Sequence, residues 1–273
     1  MKTRVAIQGI KGSFHDEVAQ QYFGNQVEIL ACDSFDQLVQ SIVYNNCRQS
    51  VMAIENSIAG SILPNYGLLD QYGLSIVGEH SLSISHNLMA MPGQSISDIP
   101  EVHSHPMALL QCKQFFHAYP DIKLVESSDT AAVAKEISDN NQIGKGAIAS
   151  QLAADLYGLQ VISESIQTIK NNVTRFVIVQ KSAVQTIPNI SKASWKFVLN
   201  HKRGSLATAL NVMSDCKLNL TKIQSLPVIK TPGKYAFFID MTFDNPDDYR
   251  KAKSLLRIMA TSFKILGEYQ SKS

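Results

Sequence analysis

The sequence predicts an α/β fold over residues 1–181 and a smaller α+β module of βαββαβ order over residues 195–273, joined by a linker at 182–194. Three observations carry this. Short apolar runs of strand length alternate with segments whose apolar residues recur at helical spacing as far as Val179. Lys181 to Ser194 is polar, aperiodic and contains Pro188, which marks a domain boundary. Beyond it the chain reads strand (Trp195 to Asn200), helix (Ser205 to Cys216), strand (Leu220 to Ile229), a Thr231-Pro-Gly233 turn, strand (Tyr235 to Phe243), helix (Pro246 to Thr261) and strand (Phe263 to Tyr269). That is the ferredoxin-like arrangement, whose exposed edge or helix face commonly pairs with a second copy.

In the first region, Arg4 to Gln8 is a buried strand running into Gly9-Ile-Lys-Gly12-Ser13, after which Phe14, Val18, Ala19 and Tyr22 fall at helical spacing and Ser13-Phe-His-Asp16 fits a capping box. Ser34-Phe-Asp-Gln37 starts a second helix with Leu38, Val39, Ile42 and Val43 on one stripe. A strand from Ser50 to Ile54 ends in Glu55-Asn56-Ser57. Then come a strand near Glu101 to His103 with a helix from Pro106, a strand Lys123 to Val125 with a helix Thr130 to Ser138, and a strand Gly146 to Ala149 with a helix Ser150 to Tyr157 stopped by Gly158. Polar loops at strand C-termini are where such sheets hold ligands, and Glu55-Asn56-Ser57, Ser104-His105-Pro106 and Glu126-Ser127-Ser128 occupy those places.

Composition narrows the class. With 45% hydrophobic and 18% charged residues in 273, the chain folds and is not disordered. A net charge of +2 gives no field that recruits nucleic acid or an anionic membrane, so an anionic ligand must be held by a local site. Cys32, Cys47, Cys112 and Cys216 form no C-x-x-C pair, so neither a zinc site nor a secreted disulfide framework is expected, and reduced thiols in a cytoplasmic protein are. The start, interrupted by Gln8 and Lys11, is not a signal peptide, and no run of about 18 apolar residues spans a membrane. Gly9-x-x-Gly12 lacks the full spacing of a dinucleotide site.

Six short strings in order then resemble one family: Gly9-Ile-Lys-Gly-Ser-Phe14, Ile54-Glu-Asn-Ser57 with Gly60, Ser104-His-Pro106 with Gln111-Cys112, Asn172-Val-Thr-Arg-Phe176, Gly204-Ser-Leu206 and Asn219-Leu-Thr221. The chain resembles prephenate dehydratase with a C-terminal ACT domain, over essentially its whole length. The resemblance implies a periplasmic-binding-protein-like (type 2) catalytic region of two α/β lobes, about 1–78 with 171–181 and about 79–170, with the active site in the cleft between them. It implies conversion of prephenate to phenylpyruvate, water and CO2 on the route to phenylalanine, with no cofactor and no metal.

Prephenate carries two carboxylates and a ring hydroxyl, and loss of CO2 and hydroxide makes the ring aromatic. The enzyme must supply a proton donor for the leaving oxygen and donors for the carboxylates. By resemblance Thr174 is the residue tied to catalysis, with its hydroxyl as donor, and Glu55 or Glu126 could supply the proton behind it. Arg175 is expected to bind a carboxylate through its planar fork. Asn56, Ser57, Ser104 and Gln111 are neutral hydrogen-bonding groups for hydroxyl and carboxylates, with Phe176 and Ser13 completing the site. Structural readings stand beside these. Ser13 and Ser104 also suit helix caps, Glu55-Asn56-Ser57 also suits a turn, His105 beside a helix start also suits a structural role, and Cys112 suits a core thiol.

The resemblance further implies phenylalanine as effector and a homodimer or homotetramer through ACT and catalytic domains. Gly204, Ser205, Leu206, Asn219, Leu220 and Thr221 are the expected effector contacts. Two departures stand out: Gln224-Ser-Leu-Pro227 lacks the acidic and basic members of the family's E-S-R-P string, and Met107 replaces the usual glutamine after Ser-His-Pro. Arogenate dehydratase, whose substrate carries an amino group where prephenate has a keto oxygen, and a non-catalytic amino-acid sensor are the alternatives.

Overall fold

Apolar runs become strands and side-chain-capped stripes become helices in the computed structural model, which describes residues 3–181, 189–228 and 231–271. Along the chain these are β1 (Arg4–Gln8), α1 (Phe14–Phe23), β2 (Glu28–Cys32), α2 (Phe35–Val43), β3 (Gln49–Asn56), β4 (Gly60–Ser61), α3 (Leu63–Gln71), β5 (Leu74–Ser83), β6 (Asn87–Ala90), β7 (Glu101–Ser104), α4 (Pro106–Cys112), β8 (Lys123–Glu126), α5 (Thr130–Asp139), β9 (Lys145–Ala149), α6 (Gln151–Tyr157), β10 (Gln160–Ser163), β11 (Val173–Lys181), β12 (Lys192–Leu199), α7 (Ser205–Asp215), β13 (Asn219–Pro227), β14 (Tyr235–Thr242), α8 (Pro246–Met259) and β15 (Ala260–Tyr269). Two compact units result: Met1–Ile62 with His80–Phe176, and Leu63–Glu79 with Val177–Ser273.

The first unit is a two-lobed α/β body. One lobe carries strands in the order β11-β3-β1-β2, with β1 parallel to both β2 and β3, and the other carries β10-β6-β9-β7-β8, with β7 parallel to β8 and β9. Helix starts follow their caps. Ser13 Oγ accepts from Asp16 N at 3.3 Å, Ser34 Oγ from Gln37 N at 3.2 Å, and Ser150 Oγ from Ala153 N at 3.1 Å. Gly158 closes α6 in the left-handed conformation at φ 64°.

The second unit holds the βαββαβ order, with antiparallel strands arranged β13-β14-β12-β15. Its core is built on Trp195, Phe197, Met213 and Leu256. The segment Leu63–Glu79 joins this unit, whereas the family resemblance implies residues 63–78 in lobe one. Three contacts hold it there: Lys196 and Lys264 both pair with Asp70, Lys192 donates to both Glu79 oxygens at 2.9 and 2.8 Å, and the Tyr66 ring meets Phe238 edge-on at 5.5 Å. β5 adds a parallel bridge from Ile76 to Gly267 on β15.

Two further differences have a physical cause. β12 begins at Lys192, inside the expected linker 182–194; the polar look of that stretch hid a lysine that is buried once paired with Glu79. Residues 182–188 of that expectation, and Ile229 at the end of another, lie outside the described residues. β2, β4, α3, β5, β6 and β10 were not expected from the sequence. Helix α3 contains Pro64 and Gly67, and β2 is a half-exposed edge strand, so neither shows a clean period. Among the described residues no helix is long and apolar enough to cross a membrane.

Candidate active site

A cavity of about 310 Å³ opens in the first unit, lined from both lobes. On one side the turn after β1 brings Ser13 and Phe14 to its wall. Gly9 and Gly12 take φ of 92° and 86°, a region that side chains disfavour, and a Cβ on Gly12 would stand 3.1 Å from Ala153 Cα. The turn is tied down by Ser150 Oγ donating to Gly12 O and Tyr157 OH donating to Lys11 O, both at 2.6 Å. Gly12→Ala is therefore expected to cost about 1–2 kcal/mol of stability, read by thermal unfolding, and to lower activity by displacing Ser13 and Phe14.

β11 contributes Thr174 and Phe176, which share a strand face two residues apart. β3 ends on Asn56, whose Nδ2 donates to Thr174 Oγ1 at 2.8 Å and to Asn172 Oδ1 at 2.6 Å. Asn172 Nδ2 donates to Gln111 Oε1 at 2.9 Å, and His86 Nε2 lies 2.9 Å from the same oxygen.

Three helices begin at the wall: α1 at Ser13, α4 at His105 and α5 at Asp129. His105 Nδ1 accepts from Met107 N at 3.2 Å, which leaves Nε2 to carry the ring hydrogen. Asp129 Oδ1 accepts from Ala132 N at 2.8 Å; burial raises the Asp129 carboxyl above its ordinary value, against the lowering by the α5 backbone N–H groups and His105. Enclosure by protein pushes the His15 imidazole down to about 3, so the ring is neutral; Nε2 accepts from Ala53 N at 3.3 Å and the ring meets Phe176 edge-on at 5.0 Å. His86 is likewise lowered, by burial first and by His105, against the Gln111 bond. No lysine or arginine lines the cavity among the described residues, and Asp129 is its one carboxylate. Negative charge must therefore be met by helix N-termini and neutral donors, an arrangement in which aligned N–H groups stand in for formal cations.

Of the residues the sequence singled out, Thr174, Asn56, Gln111, Ser13 and Phe176 meet at this cavity. Five do not line it. Arg175 lies between Thr174 and Phe176 on a strand whose successive side chains alternate, which places it on the opposite face from the cavity. Ser104 is fully buried and donates to Ile148 O at 2.7 Å, stitching β7 to β9, while His105 takes the capping position. Ser57 Oγ accepts from Val173 N at 2.9 Å in the contact between the end of β3 and β11. Glu55 sits opposite Ser61 in the β3–β4 hairpin, and Glu126 is an exposed end of β8. Cys112 is a core thiol as expected, pushed up to about 12 by burial. His15, His86, Asp129 and Asn172 were missed as site residues, whereas His105, named in the loop after β7 with a structural reading beside it, lines the cavity and caps α4. Asp129 before Thr130 is a readable cap signal at a strand C-terminal loop, whereas the histidines carry no pattern that distinguishes them.

In the second unit a cavity of about 210 Å³ is lined by Ser205, Leu206, Lys202, Lys234, Tyr235 and others. Gly204 caps α7 at φ 81°, while Asn219, Leu220 and Thr221 lie on β13 and do not line that cavity.

Residues 5–184 match the family model described as prephenate dehydratase. The chain belongs to the prephenate dehydratase family. It is accordingly an enzyme, a lyase. It is 35% identical to arogenate dehydratase/prephenate dehydratase 2, chloroplastic, of Arabidopsis thaliana, over 98% of this chain and 73% of that protein. Among solved structures, the prephenate dehydratase of Arthrobacter aurescens in complex with L-Phe superposes with a TM-score of 0.88 at 25% identity, covering 98% of this chain and 90% of that one. A structure titled as GqqA, a novel type of quorum quenching acylase, superposes with a TM-score of 0.88 at 27% identity over 98% of both chains.

Proposed function

We propose that the cavity converts prephenate to phenylpyruvate, with Thr174 as donor to the departing hydroxyl. The observation that carries this is the polarity of one bond: Thr174 Oγ1 accepts from Asn56 Nδ2, so its own hydrogen is directed elsewhere. In the reaction the ring C–O bond and the bond to the ring carboxylate both break. The electrons of the latter complete the aromatic ring, CO2 leaves, and the leaving hydroxide becomes water on gaining a proton. A hydroxyl positioned at that oxygen lowers the barrier by stabilising charge as it develops. The N-termini of α1 and α5, the Gln111 carboxamide and the His105 Nε2–H are the donors for the two carboxylates. The test is phenylpyruvate formation from purified prephenate, with Thr174→Ala beside the wild type.

One observation favours a second substrate. Asp129, the single carboxylate of the lining among the described residues, opposes a dianion but suits the ammonium of arogenate, and the Arabidopsis relative carries both activities in its name. Asp129→Asn keeps the cap and removes the charge. The ratio of kcat/KM for arogenate over prephenate is expected to fall at least tenfold if Asp129 meets the amine. The same exchange stabilises the protein at neutral pH. The raised carboxyl costs stability wherever the unfolded chain holds it ionised, so the gain of Asn over Asp grows as pH climbs from the ordinary carboxylate value through the raised one and vanishes below both.

Acyl transfer, suggested by the acylase-like structure, has less support. It needs an activated nucleophile, and among the described residues no histidine ring is hydrogen-bonded to Ser13, Ser128, Thr130 or Thr174 at the cavity.

The second unit we read as an ACT domain that binds phenylalanine and joins copies into a dimer or tetramer. Its ferredoxin-like strand order supports this, as does the small cavity at Ser205 and Leu206, with Lys202 and Lys234 for a carboxylate. We place the protein in the cytoplasm, in keeping with four free, buried cysteines.

A further inference from the structure

The amides behind Thr174 form a chain whose hydrogen-bond polarity is fixed at one end. Asn56 Oδ1 accepts from the backbone N–H groups of Ile58 and Ala59 at 3.0 and 2.8 Å, and only the carbonyl end of a carboxamide can do so. The Nδ2 hydrogens then go to Thr174 Oγ1 and to Asn172 Oδ1. Asn172, which is fully buried, must in turn offer its Nδ2 to Gln111 Oε1. His86 Nε2 faces that same oxygen at 2.9 Å, so it has to carry the ring hydrogen, and His86 Nδ1 is left buried without a partner. With Gln111 Oε1 occupied by two donors, the Gln111 NH2 is the free end at the cavity wall.

We infer that Asn172 and His86 are positioning residues for the reaction: together they hold the Gln111 carboxamide with its NH2, not its oxygen, toward the substrate. An inverted Gln111 would present a carbonyl oxygen to an anion. The inference rests on the functional reading above, since it is the anionic substrate that makes this polarity matter. The unsatisfied His86 Nδ1 is a cost the fold carries, of the kind found at functional sites.

Asn172→Asp tests it with almost no change of shape. The introduced carboxylate has no hydrogen for Gln111 Oε1, so Gln111 turns over, its NH2 faces His86 Nε2, and the histidine hydrogen moves to Nδ1. Nitrogen-15 NMR of the histidine side chains should show His86 as Nε2–H in the wild type and Nδ1–H in Asn172→Asp, and kcat/KM for prephenate should fall about 100-fold, the size of losing one preorganised donor. Lowering the pH returns a hydrogen to the introduced carboxyl, so the ratio of variant to wild-type activity should rise toward acid. The titratable groups facing this chain, His15 from α1, His86, His105 from α4 and Asp129 from α5, are present in both proteins, and the wild-type pH profile is the reference against which the variant is read.

A wild-type Nδ1–H tautomer overturns the inference, and decides it even where Asn172→Asp does not fold. So does variant activity within threefold of wild type, or a ratio that is flat with pH. A wild type that shows Nε2–H yet turns over no prephenate overturns the functional reading instead.

Discussion

Thr174→Ala lowers kcat for prephenate by about 10²–10⁴-fold, the range for removing a positioned proton-donating group. The side chain is nearly buried and, among the described residues, makes one hydrogen bond, accepted from Asn56 Nδ2. Losing that bond costs about 1 kcal/mol of stability, far too little to explain an activity loss of that size through unfolding. Thr174→Ser restores the hydroxyl on the same strand face and should recover most of the rate. Thr174→Val keeps the volume without the hydroxyl and should behave as the alanine variant does. Steady-state kinetics beside thermal unfolding separates these outcomes. A full rate in Thr174→Val would take the hydroxyl out of the reaction.

Glu79→Leu destabilises the protein by about 3–5 kcal/mol, the cost of leaving one member of a buried ion pair uncompensated. Glu79 is 3% exposed and Lys192 9%, with both carboxylate oxygens engaged by Lys192 Nζ and one also by Ser271 Oγ at 3.1 Å. That loss is a large share of the 5–15 kcal/mol by which domains are usually stable. The double exchange Glu79→Leu with Lys192→Met replaces the pair by apolar groups and should recover most of the loss, because desolvating the two charges was itself expensive. Denaturant melts of the single and double variants check both statements. Additive losses would mean the two side chains do not depend on each other.

The parts of the fold that were legible are those where one face alone is buried. Helix α2 shows its stripe and its Ser34 cap, and the βαββαβ order of the second unit is readable because antiparallel strands and amphipathic helices keep clean periods. Helix α3 was not legible, since Pro64 and Gly67 oppose it locally and Asp70 and Tyr66 hold it through distant partners. In the site, Thr174, Asn56 and Gln111 were reached by family resemblance. Arg175 shows where that route stops, for strand alternation alone sets Thr174 and Phe176 on one face and the residue between them on the other. The roles of Asn172 and His86 depend on hydrogen-bond polarity, which no sequence pattern encodes.

The central claim is that this cavity removes both CO2 and the ring hydroxyl from one substrate with Thr174 as donor. Prephenate labelled with carbon-13 in the ring carboxylate, incubated at neutral pH with the purified chain, tests it most directly. The wild type should release one labelled CO2 for each phenylpyruvate formed, and Thr174→Ala should release both at a rate lower by at least 100-fold. Phenylpyruvate and labelled CO2 no faster than in buffer, or equal rates from the wild type and Thr174→Ala, would contradict it.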